Sequence, residues 1–446
     1  DNDLEIYYED MGNIGDPPVL LVMGLGAQLL LWRDGFCERL VDQGYRVMVG
    51  SSDDPATYRA ARVQNAALVS ATWPDTTNAN IIFTVREIST NVPVVATATK
   101  EASVDVLEMA GADQVLRLGQ LLGRAMADRT LLPDGRTHVI GQFAGVLIAE
   151  ARVAGSTLLG QRIADVGLRK RLGVTVIGVW DKGVFAIAVP DTELTATSVL
   201  ILSASQDQLD AYDRCYGTGS DLQGSVVIIG AGRVGRAAAE SFDEADIPYR
   251  IIDQQPDRIR NDKYVLGDAA DIAVLEAAGI HSATGVLITA HDDDVNIYLA
   301  IYCRRLRPDL RIVARANLDR NVSTLYRAGA DDVLSYASTG AAAMWNEFRG
   351  NDTLVVAEGL DVFRAPVPKP MRGKTLAASG LRSRTGCNVV AIERDGQLVG
   401  NPGADVVLGA DTSLVLIGDD AARDRLANLD DGWRAILQNR LASLPD

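Results

Sequence analysis

The sequence predicts an α/β protein with two doubly wound parallel sheets, each followed by a small α+β lobe. The first supporting observation is an internal repeat, because the segment MAGADQVL at 109–116 recurs as RAGADDVL at 327–334. The second is an alternation of short β-branched runs with helical stretches, which is typical of β-α-β crossovers. The third is a glycine-rich segment at 230–235 that directly follows one of these runs. The repeat indicates a duplicated unit rather than a single large domain.

Composition limits the classes of function. The chain has 446 residues, which suits roughly two to four domains. Its net charge of −16 argues against nucleic acid or an anionic membrane surface as a partner, since both attract clustered positive charge. The longest apolar stretch, 19–32, is interrupted by glycines and is shorter than the roughly 20 residues of a membrane helix, so no membrane span is predicted. Singly scattered cysteines and the lack of a secretory signal favour a reducing, cytoplasmic location.

The repeat extends beyond the first motif. Segment 160–171 is similar to 373–384, and Asn80 is matched with Asn296 at nearly the same offset. Each half of the chain is therefore expected to contain a larger unit of parallel sheet and a smaller lobe.

A phosphate-binding site is predicted where the strand at 225–229 runs into the glycine-rich segment. Gly230 permits a tight turn, Gly232 lets the backbone approach a pyrophosphate, and Gly235 allows close packing of helix and strand. The N-terminus of the following helix offers unpaired N–H groups to the phosphates. The alternative is a tight turn without a ligand, but the context on both sides favours a Rossmann-like nucleotide site. Its candidate binding residues are Gly230, Ala231, Gly232, Arg233, Val234 and Gly235.

Asp253 is the candidate ligand for the ribose. It ends the next strand, 23 residues after Gly230, close to the spacing of roughly 20 expected for a ribose-binding acid. A carboxylate there accepts hydrogen bonds from both ribose hydroxyls and repels a 2′-phosphate, which favours NAD or a plain adenosine ligand over NADP. The alternative is a solvated strand end.

Three further candidates lie at the same predicted sheet edge. Asp268 lies near the adenine or caps the following helix. Thr289 ends the fourth strand at the carboxyl edge, where the ligand crevice of an open α/β sheet lies. Arg315 reaches a phosphate or forms a surface salt bridge. The acidic run 292–294 has the composition of a metal cluster, but we interpret it as a helix start that complements the helix dipole, so no metal site is predicted.

The predicted domains follow from the repeat and from turn-rich linkers. They are a β-α-β segment completing the first sheet at 1–50, the remainder of the first Rossmann-like domain at 51–137, the first small lobe at 138–217, the second Rossmann-like domain with the nucleotide site at 222–350, and the second lobe with a C-terminal helix at 351–446.

These parts, in this order, resemble the RCK (regulator of potassium conductance, or KTN) family. The resemblance is carried by GAGRVG, the strand-end Asp253, Gly267-Asp268 before a helix, Ala-Arg-Ala at 314–316 and the AGADxVL segment, followed by a small lobe. It covers about residues 50 to 440. The duplicated arrangement is similar to the tandem TrkA-N and TrkA-C type cytoplasmic regions of prokaryotic potassium channels.

The resemblance implies that NAD or NADH, or else ADP, ATP or AMP, binds at the glycine-rich segment and regulates ion flux. The implied partners are the membrane subunit of a potassium channel or transporter and further copies of the chain, as a dimer or tetramer in a gating-ring-like assembly. Segment 338–345 is similar to the family's crossover helix, which would support dimerisation. Some relatives bind calcium through carboxylates near the fifth strand, but 94–98 and 311–315 contain none, so calcium is not predicted.

Residues 1 to about 50 instead resemble the start of an α/β-hydrolase. The likeness is carried by EIYYE at 5–9, PPVLLVMG at 17–24 and the loop and helix that follow. Hydrolase chemistry is not expected, because no G-x-S-x-G nucleophile elbow occurs in the sequence. The segment therefore indicates a chimera, natural or engineered.

This hydrolase-like segment is expected to supply strands to the first sheet. Val19–Met23 is predicted to take the central first-strand position, with Arg46–Gly50 beside it and Glu5–Glu9 as an antiparallel edge. Leu29 occupies the position of the third glycine. The first half is therefore not expected to bind a nucleotide.

Three functions are compatible with the sequence. The first, which we favour, is a non-enzymatic, ligand-sensing regulatory module. The second is an NAD-dependent oxidoreductase built on the same glycine-rich segment, but it lacks an evident proton donor, since His281 and His291 have no placed partner. The third is an engineered or recombined scaffold without activity. The chain is accordingly expected not to be an enzyme.

Overall fold

The structure is a computed structural model that describes residues 10–11, 18–23, 46–66, 68–131, 135–143, 146–182, 184–217, 224–349, 353–357, 360–394, 397–400, 402–418 and 420–429. The chain divides into two compact units, 1–118 with 439–446 and 119–438. None of the helices in the described ranges combines the length and the apolar character needed to span a bilayer.

The first unit contains two small sheets and short helices. Its strands are β1 (Asp10–Met11), β2 (Pro18–Met23), β3 (Arg46–Ser51), β4 (Val69–Ala71), β5 (Val94–Thr97) and β6 (Gln114–Leu116). Its helices are α1 (Pro55–Ala60), α2 (Asp75–Ile88) and α3 (Val104–Met109).

The first sheet contains the three strands β1, β2 and β3. β2 runs parallel to β3 and β1 pairs antiparallel with β3, so β3 is the middle strand. This agrees with the prediction that Arg46–Gly50 lies beside Val19–Met23. The central position of Val19–Met23 in a complete first sheet stays a prediction, because among the described residues no strand pairs with the other edge of β2. The predicted edge Glu5–Glu9 and the loop with Leu29 lie outside the described residues.

The second sheet of this unit consists of β4, β5 and β6, all parallel. It forms one core with α2, in which Ile82 and Val85 join Val94 and Ala96. Among the residues that the structure describes, no strand pairing joins it to the first sheet. The completion of the first sheet by residues 1–50 therefore stays a prediction.

Buried asparagines establish the register of the internal repeat. The side-chain amide of Asn296 donates to the carbonyl oxygen of Arg315 at 3.0 Å, and that of Asn78 donates to the carbonyl oxygen of Thr97 at 2.8 Å. Both asparagines are fully buried, whereas Asn80 is exposed. The counterpart of Asn296 is therefore Asn78, which lies at the same offset of 218 residues that separates 109–116 from 327–334. The match to Asn80 is wrong because its offset to Asn296 is 216 residues.

The second unit begins with a long helix and an antiparallel lobe. The helix is α4 (Leu118–Leu131), and the lobe contains β7 (Thr137–Phe143), β8 (Val146–Arg152), α5 (Ile163–Val166), α6 (Leu168–Leu172), β9 (Thr175–Asp181), β10 (Val184–Ile187), β11 (Ser198–Ala204) and α7 (Gln206–Tyr216). The sheet order is β10-β9-β11-β8-β7. α7 starts in a capping box, because Ser205 and Gln208 each bond the other's backbone N–H through their side chains.

A six-stranded parallel sheet follows, in the order β14-β13-β12-β15-β16-β17. Its strands are β12 (Ser225–Ile229), β13 (Tyr249–Asp253), β14 (Tyr264–Leu266), β15 (Ala283–Ile288), β16 (Arg311–Ala316) and β17 (Asp332–Ser335). Its helices are α8 (Arg233–Glu244), α9 (Ile272–Ala277), α10 (Asp293–Leu306), α11 (Val322–Arg327) and α12 (Tyr336–Arg349). The chain reverses direction across the sheet between β12 and β15, the switch point where doubly wound folds bind ligands. This confirms the predicted fold class.

The last lobe is again antiparallel, in the order β18-β19-β22-β20-β21. Its elements are β18 (Thr353–Ala357), β19 (Leu360–Pro366), α13 (Leu376–Ser379), α14 (Leu381–Thr385), β20 (Asn388–Arg394), β21 (Gln397–Gly400), β22 (Ser413–Gly418) and α15 (Asp420–Ala427). The two lobes share one apolar core, formed by Val146, Ile148, Ile177, Ile201, Val362, Val390, Ala391, Val415 and Ile417.

Candidate functional site

The predicted glycine-rich turn lies between β12 and α8. Gly230 has φ +105°, a conformation that only glycine adopts readily. A Cβ on Gly235 would overlap the carbonyl oxygen of Gly230, so the start of α8 approaches β12 as closely as the fingerprint requires. Gly232 is the N-cap of α8, and nothing lies within 4 Å of the position of its missing Cβ. The backbone at Gly232 is therefore open to a ligand.

Buried neighbours hold this turn in place. Ala231 and Val234 are buried in the core under the sheet, while Arg233 between them is exposed. Thr289 is also buried, and its hydroxyl lies 2.9 Å from the carbonyl oxygen of Ile229 and 3.0 Å from that of Gly230, to which it donates. Thr289 therefore stabilises the turn through hydrogen bonds to its buried carbonyl groups.

Asp253 ends β13 beside the turn and is only 7% exposed, so the interpretation as a solvated strand end is wrong. Its Oδ2 accepts from the backbone N–H of Ala231 at 2.7 Å and from Arg258 at 3.2 Å. Its Oδ1 accepts from the backbone N–H of Gln255 at 2.9 Å. A carboxylate oxygen has room for two donors, so Oδ1 keeps acceptor capacity for a ribose hydroxyl.

Arg315 lies at the end of β16 and is 8% exposed, which rules out the surface salt bridge that was the alternative for this residue. Its guanidinium lies 4.7 Å from the centre of the Tyr336 ring and bonds the side chain of Asn317. Its Nε is buried without a hydrogen-bond partner among the described residues. Burial lowers the pKa of Arg315, and the nearby charge of Arg233 adds to this shift, while Tyr336 and Asp293 oppose it. The second half thus contains a buried cation close to the first residue of α8.

The contacts of Asp268 decide one of its two suggested roles, the capping of α9. It is exposed, and its Oδ1 accepts from the backbone N–H of Ala270 at 2.8 Å. The N-cap of α9 is Asp271, whose side chain accepts from the backbone N–H of Ala273. The capping alternative for Asp268 is therefore wrong, because the turn at 268–271 delays the start of the helix. Its position near an adenine stays a prediction.

The acidic run after β15 caps α10 as expected. Asp292 accepts from the backbone N–H groups of Asp294 at 2.8 Å and Val295 at 3.3 Å. Asp293 is buried and accepts from the backbone N–H of Asn317 at 2.7 Å. Within the described ranges, no group of three side chains is arranged to hold a metal ion.

Sequence reasoning missed four side chains around the turn, those of Arg236, Arg258, Arg260 and Tyr336. Arg236 donates to the carbonyl oxygen of Ala231 at 3.0 Å, and its pKa is lowered by burial and by the charges of Arg260 and Arg258. Tyr336 lies against Arg315. The sequence signal for the arginines was their clustering at 258–260 in an acidic chain, whereas nothing in the sequence indicated the tyrosine.

Comparison with known proteins defines the class to which this fold and site belong. The TrkA-N domain matches residues 33–118 and 226–336, and the TrkA-C domain matches residues 148–214 and 362–430. The chain therefore belongs to the RCK family, with TrkA-N and TrkA-C domains in tandem twice. The hydrolase-like segment at 1 to about 50 overlaps the start of the first match and is otherwise untested.

Two solved structures resemble most of the chain. The crystal structure of the GsuK RCK domain is 35% identical, covers 92% of this chain and 89% of that one, and gives a TM-score of 0.62. The structure of the GsuK channel bound to NAD is 34% identical, covers 92% of this chain and 74% of that one, and gives a TM-score of 0.60.

Two of the curated relatives are a potassium channel protein and a potassium uptake protein. Potassium channel protein 1 of Methanocaldococcus jannaschii is 25% identical over 226 residues, which cover 47% of this chain and 68% of that protein. Ktr system potassium uptake protein C of Bacillus subtilis is 24% identical over 202 residues, which cover 43% of this chain and 90% of that protein. The homologues of this chain are thus RCK regulatory domains of potassium channels and transporters.

Proposed function

We propose that the chain is a cytoplasmic regulatory region of a potassium channel or transporter that senses NAD or NADH at the turn 230–235. The observation that carries the proposal is Arg315, a buried guanidinium without an ion-pair partner among the described residues, placed near the open N-terminus of α8. Burying a cation without a direct ion pair is costly, and a phosphate oxyanion at the helix N-terminus would offset that cost. The NAD-bound GsuK channel supports the choice of ligand.

Each candidate residue has a part in this proposal. The open backbone at Gly232 approaches the pyrophosphate, Arg233 and Arg315 supply positive charge, and Asp253 accepts from the ribose. Because a 2′-phosphate would face the Asp253 carboxylate, we expect NAD to bind better than NADP. ADP, ATP and AMP share the adenosine and phosphate groups and are the alternative ligands.

The proposal is tested by isothermal titration of the chain with NAD and NADH. Gly232→Asp should abolish binding, because the new carboxylate would repel the phosphates, yet aspartate is a favourable N-cap and the fold should persist. Arg315→Ala should remove a charge-assisted hydrogen bond of about 1.5–3 kcal/mol, a loss of roughly ten- to hundredfold in affinity. Arg305→Ala, an exposed arginine near the end of α10, is the matched control and should bind like the parent. Absence of NAD, NADH, ADP, ATP and AMP binding to the parent would refute the proposal.

The regulatory function also implies that the chain has no oxidoreductase activity. His281 is an exposed residue 3.3 Å from Glu276, and His291 is exposed at the loop after β15. His281 precedes β15 and so lies at the sheet edge opposite the turn 230–235, and among the described residues no side chain pairs with the imidazole of His291. A screen for NADH consumption with small carbonyl substrates should therefore find no turnover above that of buffer.

Partners are proposed on the same basis. Two of the curated relatives are a potassium channel protein and a potassium uptake protein, which supports a membrane subunit of a potassium channel or transporter as the partner and further copies of the chain as a dimer or tetramer. Native mass spectrometry with added nucleotide would report the number of subunits and bound ligands together.

A further inference from the structure

A buried ionic cluster joins α4, the first small lobe and the second parallel sheet. Arg129 on α4 lies 2.8 Å from Glu150 on β8 and 3.7 Å from Asp332 on β17. Arg152 on β8 bonds Asp332 directly. Glu150 and Asp332 are only 5% and 3% exposed, so each carboxylate depends on these arginines for its charge compensation.

One connection leads from this cluster to the nucleotide site through β17. Asp332 is the first residue of β17, and Tyr336 directly follows the last. The ring of Tyr336 lies 4.7 Å from the guanidinium of Arg315. A shift of Arg315 toward a bound phosphate would therefore change the packing at one end of a four-residue strand whose other end is held by the cluster.

A second connection runs along α4. A Cβ on Gly119 would lie 3.1 Å from the Cβ of Arg233, and one on Gly123 would lie 2.6 Å from the Cβ of Ala237. The first turns of α4 thus lie directly on the helix that begins at the phosphate site. The other end of α4 holds Arg129, so a helix in contact with the nucleotide turn also holds Glu150 of the first lobe.

The cluster offers more than one ion pairing. A cavity beside it is lined by Arg129, Arg136, Glu150, Arg152, Val199 and Asp332. Arg129 already contacts both carboxylates, and the exposed Arg136 offers a further cation. Exchange of ion-pair partners in such a cluster gives discrete arrangements, which is the property that a packed switch requires.

We propose that Arg129, Glu150, Arg152 and Asp332 are positioning residues that transmit nucleotide occupancy from the turn at 230–235 to the first small lobe. This inference rests on the proposed nucleotide site. A bound phosphate attracts the side chains of Arg315 and Arg233. Their shift displaces both β17 and α4, and the ion pairs of the cluster then change the hydrogen bonding of β8 with its neighbouring strands. By linkage, the state of the lobe then affects the affinity for the nucleotide equally.

The test is hydrogen exchange of the full chain with and without saturating NAD, read at 146–152 and 198–204. In the parent, NAD should slow exchange at the turn and change it at both lobe segments at least twofold. Asp332→Asn and Arg152→Lys should still bind NAD within about tenfold of the parent but lose the response of the lobe. Asp165→Asn, which removes an exposed ion pair of the same lobe, is the control and should keep the response.

The outcomes separate this inference from the proposed function. If the parent binds none of the nucleotides, the proposed function fails and the inference fails with it. If the parent binds NAD without a response at 146–152 and 198–204, or if the folded Arg152→Lys variant keeps that response, the inference alone is overturned. Because Arg152→Lys retains the positive charge, it provides the decisive result if Asp332→Asn does not fold.

Discussion

Replacing Gly235 with alanine should separate the packing role of the turn from its ligand role. The added Cβ would overlap the carbonyl oxygen of Gly230 and would lie 2.9 Å from the hydroxyl of Thr289, both of which belong to the buried support of the turn. Overpacking of this kind typically costs about 1–3 kcal/mol of folding free energy. Since 1 kcal/mol shifts the melting temperature of a domain of 150–250 residues by about 2–4 °C, the expected decrease is roughly 2–12 °C.

The matched control for this substitution is Gly232→Ser. Serine is a favourable N-cap residue, and no atom lies within 4 Å of the position of the Gly232 Cβ, so the melting temperature should stay within about 2 °C of the parent. Both variants are measured by circular dichroism without ligand. Equal melting temperatures for Gly235→Ala and the parent, or an equal loss for both variants, would contradict the packing of α8 on β12.

Three further predictions concern charges and caps. Burial opposes ionisation of Glu150, but Arg129 and His138 hold its pKa below the usual range. Its stabilising contribution is therefore present above the unfolded-state pKa and is lost as the pH falls through the folded-state pKa. Glu150→Gln should flatten the acid limb of a curve of stability against pH measured by urea unfolding, and an unchanged limb would contradict this. Asp271→Ala should cost about 1 kcal/mol through loss of the N-cap of α9, and Asp268→Ala should cost less, as urea midpoints would show. Asp292→Ala should likewise cost about 1 kcal/mol, and an unchanged midpoint would argue against its cap on α10.

Local features of the site could be predicted from the sequence because they depend on neighbours along the chain. The turn at Gly230 and the close packing at Gly235 follow from backbone geometry within one β-α unit, and both are present. The strand-end position of Asp253 follows from the alternation of strands and helices. The capping role of Asp292 follows from its place before an apolar helix.

Features that depend on distant contacts could not be predicted. The burial of Arg315 requires Tyr336, which comes from another strand connection. The ion pair of Arg152 with Asp332 joins residues 180 positions apart in the sequence. The residues next to these side chains in the sequence do not determine such contacts, which form only through tertiary packing.

The apolar core shared by the two small lobes has a consequence for how the chain can be divided. Ile148 and Ile201 come from one lobe and Val390 and Ile417 from the other, and all are almost completely shielded from water. A fragment that ended between the halves would therefore expose a broad aliphatic surface to solvent, and such surfaces favour self-association. The two small lobes should accordingly melt together as one cooperative body, and cleaving the chain between 217 and 224 should yield two pieces whose lobes stay bound to each other.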